Sequence, residues 1–191
     1  MSMNTLFPVD QLVPEGFQYV PDFISKTEEQ YLLEAIAKVE RHTFVFQGYE
    51  ARRKVASFGH DWSFEHQQLS RGKDIPQDFD PLIDKVAAFL FIRKDIFAEL
   101  LVTEYPVGSV INWHRDAPPF DLIAGISLLA DCTFRLRPYD KIKQNRNSII
   151  SLPVKRRSLY VLQGPVRTNW LHSITAVKQV RYSITLRTLK D

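Results

Sequence analysis

The chain has 191 residues, of which 45% are hydrophobic, 12% aromatic and 25% charged, with a net charge of +3. That profile fits one globular domain and excludes disorder, collagen and coiled coil. No stretch approaches 18 apolar residues and the opening MSMNTLFPVD lacks the basic and apolar regions of a secretory leader, so a soluble cytoplasmic or nuclear protein is expected, with no membrane partner. Cys132 is the only cysteine, which excludes an internal disulfide and a cysteine-based zinc site and is read as a small buried side chain. The net charge conceals an asymmetry: residues 132–191 carry 13 Lys and Arg against Asp140 and Asp191, a surplus of +11 that leaves −8 for residues 1–131. Such a basic segment is either an electrostatic footprint for a polyanion or a set of solvated strand faces and loops.

In chain order, Ser25-Lys26-Thr27-Glu28 reads as a capping box, and Tyr31, Leu32, Ala35, Ile36 and Val39 behind it recur at helical spacing, predicting a helix that ends near Arg41. Residues 48–78 are polar and rich in Gly, Arg and aromatics, with hairpin-like pieces at 52–58 and 61–64. A second helix is expected from Asp80 as cap and Pro81 in the first turn through Leu82, Ile83, Val86, Ala87 and Leu90 toward Ile92. From there the pattern becomes short strands at 98–105, 109–114, 122–129, 132–137, 147–151, 158–163 and 180–188, with a basic hairpin loop at 138–147. The fold class is therefore α+β, mainly β: an antiparallel sandwich or barrel of the jelly-roll type with two supporting N-terminal helices.

Of five histidines, His114 has the most suggestive neighbour. In Trp113-His114-Arg115-Asp116 the strand alternation points His114 and Asp116 the same way, and His172 can return to the same end of a barrel. Two His and one carboxylate with open positions is the facial set of non-haem Fe(II) oxygenases, although a His-x-Asp pair alone is more often an ordinary surface pair. The last strand, Arg181 to Arg187, sets Arg181, Ser183, Thr185 and Arg187 on one face and Tyr182, Ile184 and Leu186 on the other. If the first face is interior, its guanidinium groups require anions, and a dicarboxylate ligand supplies them; if it is exposed, they solubilise the strand.

These residues together resemble the AlkB family of Fe(II)/2-oxoglutarate-dependent dioxygenases over roughly residues 44–188. The likeness rests on Tyr105-Pro106-x-Gly108, His114-x-Asp116, Gly164, Trp170-x-His172 and Arg181-x-Ser183-x-Thr185-x-Arg187, in the family's order. It implies a double-stranded β-helix over residues 98–188 within a single domain spanning 1–191, and Fe(II) held by His114, Asp116 and His172. It further implies that Arg181 pairs with the distal carboxylate of 2-oxoglutarate, that Tyr105 donates its hydroxyl to that ligand, and that Arg187 lies near the end that chelates iron. Ser183 gives the R-x-S pattern common among 2-oxoglutarate oxygenases where familiar AlkB members have Asn, and Thr103 likewise replaces an Asn. The implied activity consumes 2-oxoglutarate and O2, yields succinate and CO2, and releases formaldehyde from N-methyl groups of nucleobases.

An enzyme acting on a base takes it out of the stack and holds it between aromatic or apolar side chains. Residues 48–78 stand where the family has its nucleotide-recognition lid, so Arg53, Phe58, His60 and Trp62 are the candidate base contacts. Family members that repair methylated bases usually have an acidic residue two positions after the iron-binding Asp; here it is Pro118, with Phe120 and Asp121 as the substitutes at hand. Arg135, Arg137, Lys141, Lys143, Arg146, Lys155, Arg156 and Arg157 form the basic surface compatible with a nucleic-acid strand. The expected partner is thus nucleic acid, single-stranded or with a flipped base, met by a monomer. The competing expectations are the same oxidation on a protein or a modified tRNA, and a catalytically silent nucleic-acid-binding module.

Overall fold

The computed structural model describes residues 13–46, 48–63 and 65–190; the opening residues 1–12 and position 64, where the 61–64 piece was expected to end, lie outside them. Helix α1 (Lys26–Ala37) begins as expected: Ser25 Oγ accepts from the Glu28 N–H at 3.1 Å and Glu28 Oε2 accepts from the Ser25 N–H at 2.7 Å. It stops short of Arg41, which folds back so that Nη1 donates to the carbonyls of Ile36 and Val39 at 2.5 and 2.8 Å and satisfies the helix end. Helix α2 (Asp80–Leu90) follows a 3-10 turn at Gln77–Phe79. Asp80 is therefore its first residue and not its cap, with Pro81 in the first turn.

Strand β1 (Phe17–Val20) precedes α1, and β2 (His42–Phe46), β3 (Tyr49–Ser63) and β4 (Gln68–Arg71) lie between the helices. The two pieces expected at 52–58 and 61–64 are one 15-residue strand. Its interruption in the sequence is Gly59, at φ 82°, where an added Cβ would stand 2.2 Å from the Ala98 carbonyl oxygen. The remaining strands are β5 (Phe97–Tyr105), β6 (Ile111–His114), β7 (Phe120–Leu128), β8 (Cys132–Pro138), β9 (Ile150–Val154), β10 (Leu159–Leu162), β11 (Trp170–Ile174) and β12 (Arg181–Leu189), with a short helix α3 (Pro165–Asn169) before β11. β9 starts later than expected because Asn145 caps a 3-10 turn at Arg146–Ser148.

The strands form two antiparallel sheets, β1-β10-β7-β12-β5-β3-β2 with β4 joined to β3, and β6-β11-β8-β9. This is the jelly roll. On β12, Ile184 and Leu186 join Leu100, Val102 and Ile126 in a core beneath Leu32 and Ile36 of α1 and Val86 of α2. Arg181, Ser183 and Thr185 alternate to the opposite face, between the sheets, where Tyr105, Phe120, Phe134, Leu136 and Tyr160 pack. Each such fully buried apolar side chain contributes about 1.5–3 kcal/mol. Gly125 permits this interior: an added Cβ would stand 2.1 Å from Cζ of the Tyr160 ring.

Lys155-Arg156-Arg157 is not a free basic surface. Lys155 pairs with Asp131 at 2.9 Å and Arg156 with Glu29 at 2.6 Å, while Arg157 reaches Glu29 and Asp22, each at 3.4 Å. The run clamps the β9–β10 turn to α1, its charges answered by carboxylates although Lys155 and Arg156 remain partly exposed. Cys132 is buried as expected, and its burial pushes the thiol up from its ordinary value.

Candidate active site

β6 and β11 pair out of step: His172 faces His114 and Ile174 faces Ile111, so β6 holds one residue more than β11 over the same span. A bulge of this kind re-aims side chains. Ile111 packs inward, Trp113 stands outside beneath Arg135 and Arg137, and the His114 and His172 rings come to 4.2 Å between centroids. His114 Nδ1 is hydrogen-bonded to the Asn112 carbonyl at 2.8 Å, which leaves Nε2 for the cavity. Phe134 stacks on His172 at 5.4 Å. Asp116 lies beyond the end of β6, so it is a loop and not strand alternation that brings it to the histidines. Arg167 fixes that loop: its Nη2 donates to the carbonyls of Asp116, Ala117 and Phe120 at 3.2, 2.6 and 2.8 Å.

Asp116 Oδ1 accepts from Arg187 Nη2 at 2.7 Å. Oδ2 is buried without a hydrogen bond among the described residues, 3.4 Å from His172 Nε2. Burial alone would raise this carboxyl, but the guanidinium of Arg187 foremost, with Arg167 and, once protonated in acid, His172 and His114, outweighs it and holds the group well below the usual carboxylate range. Burial, reinforced by His114, pushes His172 down to about 3, and burial also lowers His114. At neutral pH the set is two neutral imidazoles and one carboxylate with an idle oxygen, the protonation a divalent metal requires. Among the described residues no three such side chains stand at the spacing of a closed metal cluster; the donor types fit, with Asp116 drawn toward Arg187.

Arg181 is fully enclosed. Its Nε donates to Ser127 Oγ at 3.0 Å and the guanidinium lies over the Tyr105 ring at 4.8 Å, while Nη1 and Nη2 have no acceptor among the described residues. A buried guanidinium with two idle donor groups calls for an anion. The Tyr105 hydroxyl and Ser183 Oγ are 3.2 Å apart, and Thr103 faces Ser183 across the β5–β12 ladder. Thr103 and Tyr105 line the cavity, whereas Arg181 and Ser183 do not reach its wall.

Arg187 is engaged on both sides: besides Asp116, its Nη1 donates to Glu99 Oε2 at 2.5 Å, and Glu99 Oε1 accepts from Ser57 at 2.9 Å. Glu99 and Arg167 were not anticipated. Glu99 had a signal, since alternation along 97–105 sets it on the face of Thr103 and Tyr105; nothing local marked Arg167.

His114, Asp116, His172, Thr103, Tyr105, Glu99 and Arg187 border one cavity of about 820 Å³, whose wall also includes Arg53, Trp62 and Phe120. Arg53 lies over the Phe44 ring at 3.9 Å, and Phe44 of β2 lines the cavity too. Three expected base contacts lie elsewhere. Phe58 packs into the core under the helices, because Arg53, Val55 and Ser57 take the cavity face of β3 and leave Phe58 the other. His60 Nδ1 is tied to the Ala98 carbonyl at 3.2 Å, and Asp121 points to solvent beside the buried Phe120.

The model of the family described as "2OG-Fe(II) oxygenase superfamily" matches residues 16–187. The chain belongs to that superfamily. Its relatives are AlkB proteins, in line with the motif order. It is 27% identical over 199 residues to the "Alkylated DNA repair protein ALKBH8 homolog" of Arabidopsis thaliana, covering 90% of this chain and 55% of that one. It is 27% identical to the "DNA oxidative demethylase ALKBH2" of Homo sapiens, covering 84% and 64% respectively. Against the "tRNA (carboxymethyluridine(34)-5-O)-methyltransferase ALKBH8" of Macaca fascicularis it is 26% identical over 88% of this chain but spans only 25% of the relative. The fold matches the solved structure titled "The structure of OsALKBH1" with TM-score 0.72 at 13% identity, over 93% of this chain and 99% of that one. The chain is accordingly a dioxygenase that requires Fe(II), 2-oxoglutarate and O2.

Proposed function

We propose that this dioxygenase oxidatively removes N-alkyl groups from bases of DNA or RNA, with His114, Asp116 and His172 holding Fe(II) and Arg181, Tyr105, Ser183 and Thr103 receiving the distal end of 2-oxoglutarate. One observation carries the reading: the His114 and His172 rings and Asp116, whose Oδ2 has no hydrogen bond among the described residues, line the same cavity as the Arg53–Phe44 pair and Trp62. Aromatic faces beside a cation are what an extruded base and its phosphate need.

When bound, iron, 2-oxoglutarate and O2 together supply hydroxylation of a C–H bond coupled to conversion of the keto acid to succinate and CO2, and an N-hydroxymethyl group then leaves as formaldehyde. The chain's own residues prepare the site. Arg187, held by Glu99, grips Oδ1 of Asp116 and leaves Oδ2 for the metal. Arg181 offers two free donor groups to a carboxylate and Tyr105 offers a hydroxyl. Phe120, Ile123 and Phe134 give the chamber apolar walls that exclude water. The same oxidation on a modified tRNA is the second reading. It is favoured by Pro118, which is exposed and offers no carboxylate to a methylated base.

The test supplies Fe(II), 2-oxoglutarate and ascorbate with a single-stranded oligonucleotide carrying 1-methyladenine or 3-methylcytosine, or with its unmodified twin. Equimolar succinate and formaldehyde with the methylated strand alone supports the proposal. Succinate formation indifferent to the methyl mark overturns the substrate and leaves the oxygenase.

A further inference from the structure

The positive surplus of residues 132–191 divides by location. Arg181 is enclosed, Arg187 is ion-paired inside the cavity, Arg167 pins the Asp116 loop, and Lys155 to Arg157 are neutralised by Asp131, Glu29 and Asp22. Arg135 and Arg137, with Lys141, Lys143 and Arg146 in the following loop, form no ion pair among the described residues. Alternation on β8 sends Phe134 and Leu136 inward and sets Arg135 and Arg137 on the outer face of the four-stranded sheet, opposite Ser173 and Leu171 of β11. The strands of that sheet contain no Asp or Glu. Of the acids that flank β8 in the chain, Asp131 pairs with Lys155 and Asp140 accepts from the Ile142 N–H in the loop.

This face is organised. The β6 bulge places Trp113 outside, and the guanidinium groups of Arg135 and Arg137 lie over its ring at 4.8 and 4.5 Å. Arg135 Nε donates to Ser173 Oγ at 3.0 Å, whereas Arg137 Nε is buried without an acceptor among the described residues. Arg115 lies over Tyr139 at 3.8 Å and also lines the cavity mouth. A strip of cations laid on aromatic rings therefore runs from the mouth, across the sheet, to the exposed Lys141, Lys143 and Arg146. Guanidinium groups spread on aromatic plates are held in place while they keep donors free for phosphate oxygens.

We propose that this outer face docks the phosphodiester backbone of a single-stranded nucleic acid whose modified base enters the cavity. The inference rests on the nucleic-acid reading of the active site, and it assigns strand binding to this face and none to Lys155-Arg156-Arg157.

The test measures fluorescence anisotropy of an unmodified single-stranded 20-mer against a salt series. Arg135→Gln/Arg137→Gln is compared with Lys141→Gln/Lys143→Gln/Arg146→Gln and with a control, Lys38→Gln/Lys94→Gln, whose lysines pair with Asp78 and Asp84 on the helical side. Each lost phosphate contact on a single strand lowers the log–log salt slope by about 0.7. The double variant should therefore lose about 1.4 and the triple about 2, and the control nothing. Because the loop cations are exposed, the triple variant keeps the test valid if the sheet variant fails to fold. Strand-free conversion of 2-oxoglutarate should be unchanged in all three. Slopes that do not move in the triple variant overturn the proposal. So does a wild type that ignores the oligonucleotide yet binds poly-L-glutamate through these cations, which would make the partner an acidic protein. Strand binding that follows the variants without turnover of a methylated strand retains the docking face and removes the dealkylase reading instead.

Discussion

Replacing Arg181 by Met tests whether its burial serves a ligand or the fold. The guanidinium is fully enclosed, Nε donates to Ser127, and among the described residues neither Nη group has an acceptor within hydrogen-bond geometry. A buried charge without a partner costs several kcal/mol, so a residue kept only for stability would not be left in this state. Methionine fills similar apolar volume and removes the unpaired charge. The melting temperature without co-substrate should thus hold or rise. A charge-assisted hydrogen bond to a carboxylate is worth about 1.5–3 kcal/mol, which corresponds to an increase in KM for 2-oxoglutarate of about 10- to 150-fold. The assay pairs succinate formation across a 2-oxoglutarate titration with thermal melts at zero and saturating co-substrate; the stabilisation by 2-oxoglutarate seen in wild type should vanish. A variant that melts much earlier yet keeps its KM would show that Arg181 is structural and refute the reasoning.

Glu99→Gln leaves a neutral partner for Arg187, so the guanidinium draws harder on Asp116; the loss of about 1 kcal/mol of charge assistance predicts roughly fivefold weaker Mn(II) binding by calorimetry, and unchanged affinity contradicts the Glu99–Arg187–Asp116 chain. Burial would raise the Glu29 carboxyl, but bonds from Arg156, the Leu129 N–H and Arg157 prevail and lower it. Its stabilisation is therefore present above the ordinary carboxylate value and lost as pH falls through the depressed one. Glu29→Gln should cost about 1–3 kcal/mol in urea melts at pH 7, given that Arg156 is half exposed, and the deficit should shrink below about pH 4.5; a deficit constant with pH contradicts the clamp.

What could be read from the chain was what is encoded locally. The Ser25–Glu28 box needs only four consecutive residues, and β12 separates Arg181, Ser183, Thr185 and Arg187 from Ile184 and Leu186 by chemistry even though both faces are buried. What escaped depends on partners distant in sequence. The bulge that turns His114 inward exists only against β11, and Arg156 reads as surface charge until α1 brings Glu29 across 127 residues. Phe58 and His60 looked alike as base contacts, because the parity of β3 and the kink at Gly59 are set by β5 lying alongside. Glu99 shares the face of Thr103 and Tyr105 by alternation, but an acid inside a strand reads as exposed until Arg187 is found opposite it.

The most direct test of the central claim is anaerobic titration of Fe(II) into the protein with 2-oxoglutarate, followed by the visible charge-transfer absorbance of an iron-chelated keto acid. Wild type should develop the band with one equivalent of metal. Asp116→Ala should fold and melt cooperatively without it, having lost the carboxylate beside His172. A band of equal intensity and midpoint in Asp116→Ala would contradict the assignment of the metal to His114, Asp116 and His172.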